Sequence, residues 1–174
     1  MTVSYPDALA ASRTLLRTLV VLNLLLGVLI LALLIAGLIA ESAVMGALGV
    51  RRHDGSEAMI LGMRLIMGIG IASVPLAHVV LTRLLAIVDT VRAGTPFVAG
   101  NGARLQTIAW ALLGLELLHL AVGAVAAGAS SKAQALDMDW NLSVAGWLAV
   151  VLLFVLARVF DEGARMREDL EGTV

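Results

Sequence analysis

The sequence predicts an all-α fold: an integral membrane four-helix bundle with its N- and C-termini in the cytoplasm. Of the 174 residues, 60% are hydrophobic and 14% are charged, whereas soluble domains usually have about 45–50% apolar and about 25% charged residues. Four long stretches also contain almost no Asp, Glu, Lys or Arg. Because a chain this small cannot bury so much apolar surface in water, lipid is the predicted solvent.

The whole chain, residues 1–174, is predicted to be one membrane domain. Its first charge-free stretch, Thr18–Ala40, is roughly 35 Å long as a helix, which is enough to cross a ~30 Å hydrocarbon core. The apolar runs are continuous rather than alternating, which favours helices over strands. The predicted spans are approximately 15–40, 59–90, 103–129 and 140–160, and a charged helical tail follows at approximately 158–171.

The distribution of basic residues predicts the orientation in the membrane. The chain has 12 Lys and Arg residues. Two lie in the N-terminal tail, three in the second loop and three in the C-terminal tail, whereas the first loop has three and the third loop has one. A cytoplasmic N-terminus therefore places eight of them inside and four outside. Since cytoplasmic segments carry the excess of Lys and Arg, both termini are predicted to be cytoplasmic.

Composition and motifs argue against several classes of function. The formal net charge of −1 leaves no general basic surface, so direct binding of nucleic acid is not predicted. The absence of cysteine excludes disulfides, thiolate metal sites and cysteine nucleophiles. The sequence contains neither a phosphate-binding fingerprint nor a plausible serine–histidine–acid set. We therefore predict a non-enzymatic protein with no cofactor and no metal site.

Four polar residues inside the predicted spans are the candidates for intramembrane chemistry: Glu116, His119, His78 and Asn23. A carboxylate near the middle of a span is costly unless it is protonated, paired or directed to a polar interior. Glu116 and His119 are three residues apart on one helical face, which predicts a structural role as a neutral or mutually paired couple inside the bundle. Proton or ion handling and metal binding are the alternatives. Asn23 is predicted near the level of His78, close enough for a hydrogen bond.

Small residues four apart predict close contacts between helices, because helices in lipid associate through such residues. The rival interpretation is that these residues form the seam of a homo-oligomer. The predicted pairs and triplets are Ala32/Ala36/Ala40, Gly68/Ala72, Gly123/Ala127, Ala124/Gly128 and Ala145/Ala149.

Two segments on the predicted cytoplasmic side carry recognisable motifs. The first is Val91–Phe97, which is followed by Asn101 and Arg104, and the second is the tail, Val159–Val174. Together they resemble a bacterial family of small four-span inner-membrane proteins that is catalogued as a domain of unknown function. The resemblance implies that the whole chain is the domain and that it lies in the bacterial inner (plasma) membrane. Members are often encoded beside a phage-repressor-type helix-turn-helix regulator.

The chain departs from this family where the third helix opens. The family commonly has a Thr-Pro-Glu-Asn run there, whereas this chain reads Val98-Ala99-Gly100-Asn101. The usual threonine N-cap is therefore missing, and Asn101 is predicted to cap a later start of the helix.

These observations lead to one main functional hypothesis, in which a cytoplasmic face binds a protein partner such as a transcription regulator while membrane lipids surround the spans. The alternatives are a proton- or ion-coupled transporter using Glu116 and His119, and a structural subunit of a membrane complex. In a simpler interpretation, the motif residues only form the turn and the tail only solubilises the end. The candidate residues of the cytoplasmic face are Gly94, Pro96, Phe97, Asn101, Arg104, Gly163, Arg167 and Glu168.

Overall fold

A computed structural model describes residues 5–40, 46, 56–129 and 143–171. The four long helices are α1 (Tyr5–Ile39), α2 (Ser56–Arg92), α3 (Ala99–Ala129) and α4 (Val144–Glu171). Each of them is long and apolar enough to cross a membrane. The prediction of an all-α bundle of four long apolar helices is confirmed. Helix α1 extends from the predicted first span back to Tyr5, and α3 extends from the predicted third span back to Ala99.

The predicted fourth span and the predicted tail form one continuous helix, α4. The helix begins at Val144, and residues 130–142, where the predicted start of the span falls, lie outside the described part of the chain. Ser143 is its N-cap, because the hydroxyl Oγ accepts the backbone N–H of Gly146 at 3.1 Å. The charged tail is therefore a direct extension of a membrane helix.

The helices pack in chain order, so α1 contacts α2, α2 contacts α3, and α3 contacts α4. Within the described ranges no other pair of helices is in contact, which makes the bundle an open row. Successive helices are antiparallel: Gly27 of α1 lies against Val74 of α2, while Ile30, one turn later, lies against the earlier residue Gly70. The start of α1, residues 93–98 and the end of α4 consequently share one end, which we call the turn end.

Glycines mark points where neighbouring helices approach closely. A Cβ atom built on the glycine of each pair would lie within contact distance of its partner: Gly27 and Val74, Gly62 and Ala129, Gly114 and Leu76. Such contacts bring backbones together where lipid provides no hydrophobic driving force between helices.

The small-residue stripes predicted from spacing alone are mostly not used. Ala32, Ala36 and Ala40 of α1 are exposed, and so are Gly68 and Ala72 of α2. The same is true of Ala124, Ala127, Gly128 and Ala145, whereas Gly123 is buried and Ala149 is half-buried. Spacing defines a face but not the direction of a neighbour, and α1 and α4 have only one neighbour each. The homo-oligomer seam stays a prediction.

Polar contacts connect α1 to α2 at both ends. Arg64 of α2 donates from Nη2 to the Gly37 carbonyl at 3.2 Å, which provides a cation and a donor for the C-terminal turn of α1. At the turn end, Arg13 Nε lies 3.0 Å from Asp89 Oδ1, an ion pair whose N–H is not aligned for a hydrogen bond. These two contacts fix the register of α1 on α2.

The outward surface of the row is apolar. Large aliphatic side chains are exposed along α1 and α4, including Leu25, Val28, Val151 and Val155. A soluble monomer rarely exposes such a continuous apolar surface, whereas this surface is what a helix surrounded by lipid requires.

Candidate interaction surface

The connection between α2 and α3 is a tight turn built on Gly94. Gly94 has a φ of 75°, a left-handed conformation that glycine adopts without steric cost. The backbone N–H of Gly94 donates to the Val91 carbonyl at 3.1 Å, and that of Thr95 donates to the Thr90 carbonyl at 3.0 Å. This pair of bonds is a Schellman motif, which satisfies carbonyls at the end of α2. Gly94 therefore caps the C-terminal end of α2.

Asn101 holds this turn against the start of α3. Its side chain is fully buried, at 0% exposure. The amide Nδ2 donates to Thr90 Oγ1 at 2.8 Å and to the Pro96 carbonyl at 2.7 Å, while Oδ1 accepts a bond from Arg104 Nη1 at 2.7 Å. Every donor and one acceptor site of the amide is therefore used, which satisfies a polar group that burial would otherwise penalise.

The prediction that Asn101 caps a later start of α3 is wrong. The helix begins at Ala99, and Asn101 lies within the first turn, where its backbone N–H donates to the Val98 carbonyl at 2.9 Å. Its side-chain Oδ1 accepts from Arg104 instead of from backbone amides of the first turn, while Nδ2 donates to Thr90 and to the Pro96 carbonyl.

The turn also packs directly on the tail. The rings of Phe97 and Phe160 are tilted, with centroids 5.4 Å apart, within the range of favourable aromatic pairs. Gly163 of α4 lies beneath the Phe97 ring, since a Cβ built there would be 3.2 Å from Cδ1. The two sequence motifs, far apart along the chain, therefore meet in one place.

A carboxylate of the tail lies at the start of α3. Asp161 contacts Gly102 so closely that a Cβ built on Gly102 would collide with the carboxylate. The same Cβ would lie 3.2 Å from the Ala157 carbonyl oxygen. Gly102 is in the first turn of α3, where unsatisfied N–H groups and the helix dipole favour a negative charge. Asp161 of α4 thus places a carboxylate beside the first turn of α3.

Beyond this junction, α4 presents charged and exposed side chains. A shallow pocket of about 330 Å³ is lined by Asp161, Ala164, Arg165 and Glu168. Arg165 Nη1 lies 4.0 Å from Glu162 Oε2 on the exposed face. Arg167, Glu168 and Met166 are exposed as well. The turn and the tail together form what we call the turn–tail surface, defined by residues 94–104 and 157–168.

The intramembrane carboxylate occupies a different contact. Glu116 of α3 lies against Gly146 of α4, where a built Cβ would collide with the carboxylate. His119 is exposed, and within the described residues the two side chains form no ion pair. The expected Glu116–His119 pair is therefore absent from the structure, because Glu116 is turned toward α4.

His78 and Asn23 are also placed differently from the prediction. Asn23 Nδ2 donates to the backbone carbonyl of Val74 at 3.0 Å rather than to His78. His78 Nδ1 and Trp147 Nε1 are buried without a hydrogen-bond partner in the described part of the protein. No group of three or more His, Asp or Glu side chains with metal-binding geometry occurs among the described residues.

Sequence reasoning missed several residues of the turn–tail surface. Thr90, Gly102 and Asp161 were not singled out, although all three lie within or beside the two motifs. The available signal was the pair of glycines beside Asn101, Gly100 and Gly102. Glycine is costly in a helix unless another group packs closely against it. For Gly102 that contact is Asp161.

The fold and this surface define a class: an all-α protein with four candidate membrane-spanning helices and a packed turn–tail junction at one end. The chain belongs to the family described as Protein of unknown function (DUF2975), whose model matches residues 9–174. No curated protein and no solved structure matches the chain.

Proposed function

We propose that this protein is a non-enzymatic protein of the bacterial inner membrane whose turn–tail surface binds a soluble protein in the cytoplasm, such as a transcription regulator. The observation that carries this proposal is the junction of the two motifs. Phe97 stacks on Phe160 and yet remains 47% exposed. A large aromatic side chain that is held in place and half-exposed is a typical anchor for a protein partner.

The chemistry of the surrounding surface supports the same proposal. Met166 is exposed near the Phe97–Phe160 pair, and Arg165 and Arg167 are on the same extension of α4. Aromatic, Met and Arg side chains are the residues enriched in the centres of protein interfaces. A tail that served only to keep the end of the helix in water would not require packing against the α2–α3 turn.

The cytoplasmic orientation rests on the basic residues. The turn end contains the start of α1, the α2–α3 turn and the end of α4, which are the three segments with the majority of Lys and Arg. An excess of basic residues marks the cytoplasmic side of membrane proteins. A partner of the turn–tail surface would therefore be a cytoplasmic protein.

Affinity capture from detergent-solubilised membranes tests the proposal. The double variant Arg165→Ala/Met166→Ala removes two exposed side chains from the tail without touching the Phe97–Phe160 contact. We expect it to lose at least about tenfold of one soluble partner, because interface anchors contribute about 1–2 kcal/mol or more each. The readout is quantitative mass spectrometry of the captured proteins.

The matched control is Val151→Ala/Leu152→Ala, which changes two exposed residues on the membrane part of the same helix. It should capture the partner like the wild type. A partner profile that is the same for both variants, or the absence of any specific soluble protein, would refute partner binding by this surface.

A proton- or ion-coupled transporter is the second candidate, and the arrangement of polar groups favours it. One polar residue of each helix lies at a similar depth, within about one or two helical turns. This follows from three contacts between helices: Asn23 with Val74, Leu76 with Gly114, and Glu116 with Gly146. The four polar residues are Asn23, His78, Glu116 and Trp147. Intramembrane ionisable residues are functional candidates by default.

The transport hypothesis predicts that Glu116→Gln abolishes a proton- or ion-dependent flux in proteoliposomes while the protein still inserts and folds. The side chains have the same shape, so the contact with Gly146 is retained. His119→Gln, which changes an exposed side chain of the same helix, tests the partner residue of the hypothesis. Wild-type flux in the Glu116 variant, or no flux in the wild type, would eliminate the transporter.

A further inference from the structure

Four arginines, one on each helix, lie where the apolar stretches end at the turn end of the bundle. They are Arg17 of α1, Arg83 of α2, Arg104 of α3 and Arg158 of α4. We call these four residues the arginine belt. In the sequence, each of these arginines marks the end of a different apolar stretch. Only the register of the helices shows that the four arginines lie at similar depths along the bundle axis.

Contacts between α1 and α2 place the first two arginines at nearly the same height. The Arg13–Asp89 ion pair lies nearer the turn end than these two arginines, and the Gly27–Val74 contact lies farther from the turn end. Counting residues between these two contacts puts Arg17 and Arg83 within about half a helical turn of each other.

Contacts of α3 place the other two arginines at a similar depth. Arg104 and Arg158 lie beside the contact of Gly102 with Ala157 and Asp161. The Asn101–Thr90 hydrogen bond of 2.8 Å then relates α3 to α2. By these contacts all four arginines fall within about one and a half helical turns, or roughly 8 Å, along the bundle axis.

The positive charge of the belt is not neutralised by nearby carboxylates. Asp89 is paired with Arg13, Asp161 lies at the start of α3, and Glu162 is paired with Arg165. In the described part of the chain, Arg17, Arg83 and Arg158 have no carboxylate within 4.0 Å, and all three are exposed.

We propose that the arginine belt binds the phosphate headgroups of acidic phospholipids in the leaflet at the turn end. The guanidinium group matches phosphate oxygens in a bidentate geometry. The belt also lies at the edge of the apolar surface, which is where lipid phosphates are found. Its spread over four helices fits a ring of headgroups better than one soluble anion. The proposal does not require partner binding, although Arg104 and Arg158 also lie within the residue ranges of the turn–tail surface.

Titration of the full-length protein in uncharged detergent with phosphatidylglycerol tests the proposal, with the shift in the thermal unfolding midpoint as the readout. Each arginine near an acidic lipid surface changes the binding constant by roughly fivefold, so we expect Arg83→Gln/Arg158→Gln to bind about 30-fold more weakly. Arg165→Gln/Arg167→Gln removes the same charge from the tail and should bind like the wild type. Phosphatidylcholine and sodium phosphate should produce no comparable shift.

Three results would overturn the proposal: an equal shift with phosphatidylcholine or with sodium phosphate, equal loss of binding in the belt and tail variants, or no shift with phosphatidylglycerol. Arg83→Lys/Arg158→Lys keeps the charge and should retain most of the binding. If the glutamine double variant does not fold, the single variant Arg158→Gln, expected to bind roughly fivefold more weakly, provides the same test.

Discussion

Replacing Gly102 with alanine is expected to destabilise the folded protein by about 2–4 kcal/mol. The added methyl group would collide with the Asp161 carboxylate and would lie 3.2 Å from the Ala157 carbonyl. Overpacking a tight contact costs about 1–3 kcal/mol. Displacing the carboxylate from the start of α3 removes a helix-dipole interaction of about 0.3–2 kcal/mol. Unfolding of the purified protein in mixed micelles, followed by circular dichroism, measures the change.

The control for this prediction is Gly68→Ala. Gly68 is also in a helix, but nothing lies within 4 Å of a Cβ built on it, so alanine there should be neutral or stabilise the protein by about 0.5–1 kcal/mol. The double variant Gly102→Ala/Asp161→Ala removes the colliding carboxylate and should recover part of the lost stability. If Gly102→Ala and Gly68→Ala have the same effect, α3 and α4 do not approach each other as described.

Asn101→Ala is expected to destabilise the protein by about 2–4 kcal/mol as well. The amide forms three side-chain hydrogen bonds in a fully buried position. One bond has the charged donor Arg104, and bonds to charged groups contribute about 1.5–3 kcal/mol against about 0.5–1.5 kcal/mol for neutral ones. The variant leaves the Pro96 carbonyl without the Asn101 donor. The same micelle unfolding experiment provides the measurement.

Gln106→Ala is the matched control, because it removes an exposed amide from the same helix and should change stability by less than about 0.5 kcal/mol. Asn101→Asp separates the two sides of the network: it keeps an acceptor for Arg104 but loses both donated bonds. It should fall between the wild type and Asn101→Ala. Equal stability of the Asn101→Ala and Gln106→Ala variants would show that the turn does not depend on this network.

Hydropathy was sufficient to predict the four helices, because each must contain its own backbone hydrogen bonds and present apolar side chains to lipid. Hydropathy underestimates the length of α1, because the polar segment before Thr18 is also helical and the helix begins at Tyr5. Alanine, leucine and arginine in this segment are good helix formers even in water. Hydropathy responds to the solvent around a helix and not to its intrinsic propensity.

Contacts between helices could not be predicted in this way. The alanine stripe of α1 has the same spacing as a packing motif, yet it faces outward, while Gly27 packs on Val74. Which face is used depends on the shape of the neighbouring helix, and the spacing of small residues within one helix does not show that shape. The partners of Glu116 and Asn23 were mispredicted for the same reason: each side chain interacts with another helix, Glu116 with Gly146 and Asn23 with Val74.

The turn–tail surface was predicted in its parts but not in its connections. Gly94 was selected as a residue of the cytoplasmic motif, and the structure shows that it caps α2 with a positive φ. Asn101 was selected as important but was given a local role, because a capping amide and a bridging amide look alike in sequence. Asp161 was overlooked because its target, the start of α3, is distant along the chain.

The α2–α3 turn and the α4 tail are held together as one surface by the contacts of Phe97 with Phe160 and Gly163. Because the chain contains no cysteine, the double variant Phe97→Cys/Gly163→Cys tests this claim directly in native membranes. A Cβ at position 163 lies 3.2 Å from Cδ1 of the Phe97 ring, which puts the two Cβ atoms within about 6 Å of each other, near the spacing of a disulfide, so oxidation should join the two positions and protect both thiols from maleimide labelling. Phe97→Cys/Val151→Cys, which places the second thiol about three turns nearer the start of α4, should stay reduced. If the first pair also stays reduced under the same oxidant, the turn and the tail are not in contact and the account is contradicted.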